Sequence, residues 1–168
     1  RGGFTALTAD ALTGADVIDI QQDPDVTAIS FAALSKLGEP ELAGESYFNV
    51  SDDVSLTALI VSRLRQVDEL DVNGDIALAA LDLSSLSAVD SYLGISGDTA
   101  LASLTLSSLA SAGYLTVNFD AALTDLALPS LASVDELPIY GNATLAALTA
   151  PSLASIYNYV NVYNNVEL

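Results

Sequence analysis

Cysteine, histidine, methionine and tryptophan are all absent from this chain, and basic residues nearly so: Lys and Arg together number 4 in 168 residues. Each absence removes a class of chemistry. Without cysteine there are no disulfides, no thiolate nucleophile and none of the common structural zinc sites. Without histidine the usual general base at neutral pH is gone. With so few cations against 22 acids, a net charge of −18, the chain lacks the means to neutralise phosphates, which argues against nucleic acid. The same deficit argues against an anionic membrane surface. No apolar run approaches the ~18 residues of a transmembrane helix, so no membrane insertion is expected.

What is present is a repeat. Apolar residues make up 51% of the chain, enough for a core despite the charge, and they recur in columns. The first position of each unit holds Phe4, Val26, Leu56, Leu78, Leu101, Leu123, Leu145 and, opening an eighth unit, Leu168. Successive gaps are 22, 30, 22, 23, 22, 22 and 23 residues. The ninth position is the most uniform: Leu12, Leu34, Leu64, Leu86, Leu109, Leu131 and Leu153. Two late columns alternate with polar residues, Ile18 through Leu137 to Val160, and Ile20 through Ile139 to Val162. One unit cannot enclose this apolar set, whereas stacked units bury every column into a continuous core.

The local period identifies the kind of stack. Alternation with period two and Val, Ile or Leu inward predicts short strands, and no segment sustains a helical period. Each unit reads as two short strands joined by a tight corner around S-L-x-S-V. An Asp/Asn column follows the second strand: Asp23, Asp53, Asp75, Asp98, Asp120, Asn142 and Asn165, with Gly74, Gly97 and Gly141 preceding three of them. These are turn residues, and solvated turn capping is the expected role of the acids. The 30-residue unit carries an insertion over 38–46, rich in Gly and Glu, read as an exposed loop. The expectation is one all-β domain over 1–168, a leucine-rich parallel β-solenoid of seven coils of 22–23 residues. At ~4.8 Å per coil it rises by roughly 35 Å.

Two stretches carry a resemblance. Ser130-Leu131-Ala132-Ser133-Val134 and Tyr159-Val160-Asn161-Val162-Tyr163-Asn164-Asn165 show the S-L-x-S-V/I corner and the following strand of the receptor L domain family and its microbial surface-protein relatives. The chain resembles that family over essentially its whole length, most regularly from Leu56 onward. The resemblance implies a right-handed β-helix-like solenoid with an extracellular or cell-surface role in binding or structure. The chain lacks the cysteines of the receptor domains, so their ligand specificity is not carried over.

No catalytic motif accompanies the repeat, and the chain is read as no enzyme: acids at every corner supply carboxylate pairs by chance, without a cleft to use them. No cofactor is expected. The Asp column (Asp23, Asp25, Asp52, Asp53, Asp75, Asp98) presents the hard oxygen atoms that Ca²⁺ takes, but the glycine-rich nonapeptide of calcium-binding β-rolls is absent. Asn49 and Asn142 fit the N-glycosylation acceptor pattern. The outward Thr residues, Thr5, Thr27 and Thr57 among them, are too interrupted for a flat ice-binding array. Lys36, Arg63 and Arg65 should lie together on coils two and three, half of an electrostatic contact with an acidic partner surface.

The interface candidates are tyrosines and ends. An outward column runs Val17, Tyr47, Glu69, Tyr92, Tyr114, Glu136 and Tyr159, and four of the seven tyrosines, Tyr140, Tyr157, Tyr159 and Tyr163, fall within 140–163. Solenoids normally end in polar caps. Here the repeat runs from Phe4 to Leu168, so both ends are expected to expose apolar strand edges, with Arg1 at one of them. The leading expectation is an extracellular structural protein forming a head-to-tail homopolymer, a filament or surface layer. The alternative is a binding module of a larger cell-surface adhesin, with a glycan, a protein or ice as ligand.

Overall fold

The computed structural model describes residues 3–38 and 46–168. Within them the chain is a parallel β-solenoid of seven turns with no helix, as the column spacing predicts. Coil one holds β1 (Ala6–Thr8), β2 (Gly14–Ala15) and β3 (Val17–Gln21). Coil two holds β4 (Ala28–Ser30), β5 (Lys36–Leu37) and β6 (Tyr47–Ser51). From coil three on, the corner and second strand merge. The pairs are β7 (Ala58–Ile60) with β8 (Gln66–Asn73), then β9 (Ala80–Asp82) with β10 (Ala88–Ser96). Next come β11 (Ser103–Thr105) with β12 (Ser111–Asn118), β13 (Asp125–Ala127) with β14 (Ser133–Tyr140), and β15 (Ala147–Thr149) with β16 (Ser155–Tyr163).

The long strands form one nine-stranded parallel sheet, in which β16, β14, β12, β10 and β8 follow one another. The register is that of the columns. Leu93 pairs Leu115, Ile95 pairs Val117, Leu137 pairs Val160 and Ile139 pairs Val162. The short strands form the opposite wall, and the Leu columns fill the space between them. Leu34, Leu64, Leu86, Leu109 and Leu131 of the ninth position are at most 1% exposed. Burying one such side chain is worth about 1.5–3 kcal/mol. The corner differs from expectation in one respect: S-V of S-L-x-S-V is already strand, because its backbone bonds continue into the sheet.

The uneven period has a structural cause. The two 23-residue coils each carry a bulge in the long strand. In β10, Asp90 and Ser91 lie opposite single residues on both neighbours, and in β16 Tyr157 and Asn158 lie opposite Asp135 alone. Gly113 accommodates the first bulge. A Cβ there would sit 2.6 Å from the Ser91 carbonyl oxygen and 2.7 Å from that of Asp90, and these are backbone atoms of the bulge, which cannot swing aside as a side chain would. Gly113→Ala should therefore destabilise the chain by about 1–3 kcal/mol, the range for overpacking, read as a lower urea midpoint.

Two β-turns close each coil. In the first, the amide of the ninth-position Leu donates to the sixth-position carbonyl, as from Leu131 to Leu128 and Leu153 to Ala150. Pro129 and Pro151 then stand at the second turn position, where their fixed φ is favoured. The second turn starts at the Asp/Asn column, as from Leu78 to Asp75 and Leu101 to Asp98. The residue just before that column is left-handed in every coil: Gln22, Asp52, Gly74, Gly97, Phe119, Gly141 and Asn164 all have φ between 55° and 73°. Three glycines meet the demand without strain. The insertion falls between β5 and β6, which pair with the single strand β8. Residues 39–45 of the loop expected over 38–46 lie outside the described residues, as does Arg1.

Candidate functional site

The two ends of the stack are not equivalent. On the last coil, Ile156, Val160 and Val162 are 43%, 47% and 38% exposed, whereas Val134, Leu137 and Ile139, one coil earlier in the same columns, are buried. No strand among the described residues covers the outer edge of β16. Leu168 and Val166 add to this open face. At the other end Phe4 and Val17 are exposed, but Ile18 and Ile20 are buried within coil one. The two ends thus differ in degree: exposed large apolar side chains are more numerous on the C-terminal coil.

The tyrosine column is real, with Tyr47, Glu69, Tyr92, Tyr114, Glu136 and Tyr159 paired in succession. The four C-terminal tyrosines, however, belong to separate places. Tyr159 ends that column. Its hydroxyl bonds the Glu136 carboxylate, which with lesser contributions from burial and Tyr114 pushes its pKa up to about 12. Tyr140 and Tyr163 stand four residues further along the strand in a second row and stack at 4.8 Å. Phe119 meets Tyr140 edge-on, with ring centroids 5.2 Å apart. Tyr157 sits in the bulge and is mostly exposed. A second stack, Tyr92 on Tyr114 at 5.4 Å, lies over the sheet. The Tyr92 ring crosses Gly94, whose missing Cβ leaves room for it.

The Asp/Asn column is not the solvated row of caps expected from sequence. Asp53, Asp75, Asp98, Asp120 and Asn142 are fully buried. Each backbone amide donates to the Oδ1 of the next coil's residue: Asp23 to Asp53 at 2.7 Å, Asp53 to Asp75 at 2.8 Å and Asp75 to Asp98 at 2.8 Å. The series continues through Asp98 to Asp120 and Asp120 to Asn142, both 2.9 Å, and Asn142 to Asn165 at 3.0 Å. Among the described residues no group of three or more Asp or Glu is placed to hold a metal ion. Asn142 as a glycosylation acceptor is corrected. Its amide is enclosed, donating to the Val117 carbonyl and to Asn165, so the folded chain offers nothing to glycosylate there. Asn49 is half-exposed, with its amide bonded to Asp19 and Ser51.

Among the described residues, several grooves open beside the long strands. Lys36, Arg63 and Arg65 do converge, lining a cavity of about 620 Å³ with Thr13, Ser35 and Ser85. A second groove of about 440 Å³, lined by Asp19, Asn49, Glu69 and Asp71 between Tyr47 and Tyr92, was not foreseen. It arises where Glu69 interrupts the tyrosine column, a gap visible in the sequence. Burial and, secondarily, the Glu69 charge raise the Asp71 pKa. Thr27 and Thr57 turn their hydroxyls to the carbonyls of Thr5 and Thr27, away from the ice-like array considered above. No protein-family model matches this chain, and no curated protein or solved structure shows significant similarity to it.

Proposed function

We propose that the chain is a non-catalytic structural protein of the cell exterior that assembles end to end into a filament or surface layer. The bare inward column of coil seven carries this reading. A parallel strand with its inward residues exposed and its outer edge unpaired is a template for another parallel strand. Coil one of a second copy repeats the same columns, bringing Ile18 and Ile20 against Val160 and Val162, and Asp23 against Asn165. Such a heterologous contact does not close, and it propagates. The exterior location rests on the likeness of the S-L-x-S-V corner and its strand to receptor L domains. Sedimentation velocity of the 168-residue chain should show a concentration-dependent series of species. A single monomer boundary at the highest attainable concentration would sink the proposal.

A second reading, a glycan-binding module of an adhesin, is favoured by the groove between Tyr47 and Tyr92. Aromatic faces flanking carboxylates and an amide suit a neutral sugar, whose apolar face stacks while its hydroxyls are bonded. On this reading immobilised neutral glycans retain the wild-type chain, and Tyr92→Ala abolishes retention at temperatures where the variant is still folded, its melting temperature lowered only by the lost stack on Tyr114. Equal retention of the variant would remove the groove from consideration.

A further inference from the structure

The buried ladder holds its two kinds of residue in one geometry but with different hydrogen atoms. Asn142 accepts the Asp120 amide on Oδ1 and donates Nδ2 to the Val117 carbonyl at 2.9 Å. Asn165 accepts the Asn142 amide and donates Nδ2 to the Ile139 carbonyl at 2.9 Å. Asp53, Asp75, Asp98 and Asp120 likewise accept an amide on Oδ1, yet the Oδ2 of each is buried without a partner. Four orphaned carboxylate oxygen atoms in one column are an expensive arrangement. Counting back one coil at a time, the carbonyls equivalent to Val117 and Ile139 are those of Ile20, Val50, Val72 and Ile95. An ionised Oδ2 would set acceptor against acceptor there. A protonated one donates, as the amide of Asn does.

We propose that Asp53, Asp75, Asp98 and Asp120 stand in the folded chain as neutral carboxylic acids, each donating its Oδ2 proton to the carbonyl of Ile20, Val50, Val72 or Ile95, so that the solenoid is tightened by acid and loosened by alkali. The surroundings agree. Burial is the largest influence on all four and raises every pKa, Asp98 to about 9 and Asp75 and Asp120 to about 7. The charged groups facing them are all acids. Asp23 and Asp52 face Asp53; Asp52, Asp53 and Asp71 face Asp75; Asp71, Asp75 and Asp120 face Asp98. Asp120 meets Asp98 on one side and the neutral Asn142 on the other.

An unfolded Asp titrates near pH ~3.9. Between there and the raised folded values the native state binds more protons than the unfolded chain, so stability falls as pH rises. The ladder's contribution is fully present below about pH 4 and is lost as pH climbs through about 7 to 9. Relief of general charge repulsion acts in the same direction, so the test needs a charge-matched control. Asp98→Asn copies the geometry of Asn142 without a titrating group, while Asp135→Asn removes the same charge from an exposed site. The urea midpoint of Asp98→Asn should exceed that of the wild type at pH 8 and match it at pH 4, with little change in Asp135→Asn. Carbon-13 titration of the Asp98 carboxyl in the wild type should show it still protonated at pH 6, when exposed acids have ionised. Titration of Asp98 together with the exposed acids, or a fall in the pH 8 midpoint of Asp98→Asn, would overturn the proposal.

Discussion

Leu109→Ala should lower the stability of the chain by about 3–5 kcal/mol, the upper part of the range for a buried Leu truncated to Ala. The position is fully buried, and so are Leu86 and Leu131 on the coils either side of it. Backbone bonds on both sides hold the coil spacing, as from Ala110 to Ser87 and Ala132 to Ala110. Neighbouring coils therefore cannot settle into the void, and a rigid cavity costs more than one that collapses. In a repeat stack each unit is stabilised through its neighbours, so a defect in coil five weakens its junctions with coils four and six together. Leu153→Ala, at the same column on the last coil, removes a half-buried side chain with one neighbouring coil and should cost about 1 kcal/mol. Urea titrations of the two variants check this. Equal losses would mean that coil seven is covered in solution.

The second large effect concerns assembly. Replacing both Val160 and Val162 with Lys should raise the concentration needed for assembly by on the order of a hundredfold or more. Each ammonium would be buried unpaired at the junction at a cost of several kcal/mol, and about 1.4 kcal/mol is already tenfold in association. The folded monomer should scarcely notice, because both side chains are substantially exposed. The same change at Val117 in coil five, fully buried in the same column, should prevent folding. Sedimentation and thermal melting of the variants separate the two effects. Undiminished assembly of the double-lysine variant would place any self-contact elsewhere.

The architecture was legible because a solenoid writes its core into sequence one coil at a time. Leu109 and its equivalents identify themselves by spacing alone, and parallel stacking turns that spacing into register. The Tyr47–Tyr159 column was legible for the same reason. Three features were not. The bulges at Asp90-Ser91 and Tyr157-Asn158 appear in sequence only as a period of 23, which does not say where the extra residue goes. The depth of the Asp/Asn column was hidden because aspartate at a turn is ordinarily solvated. Only the stacking of seven turns places Asp75 and Asp98 beyond water, and their hydrogen bonds run between coils rather than within one. The grouping of tyrosines within 140–163 suggested a single cluster, whereas strand geometry puts Tyr159 and Tyr163 in rows four residues apart and the bulge sends Tyr157 to a third place. The difference between the two ends likewise emerges from side-chain packing in coil one, where Ile18 and Ile20 are covered although the repeat treats them like Val160 and Val162.

On the proposed assembly, coil seven receives coil one of another copy and so continues the stack. Negative-stain electron microscopy of the concentrated 168-residue chain distinguishes a continued stack from separate solenoids. Continuation predicts unbranched filaments one solenoid wide with an axial repeat of roughly 35 Å, seven coils at ~4.8 Å. Discrete particles one solenoid long, at concentrations where the chain remains soluble, would contradict it.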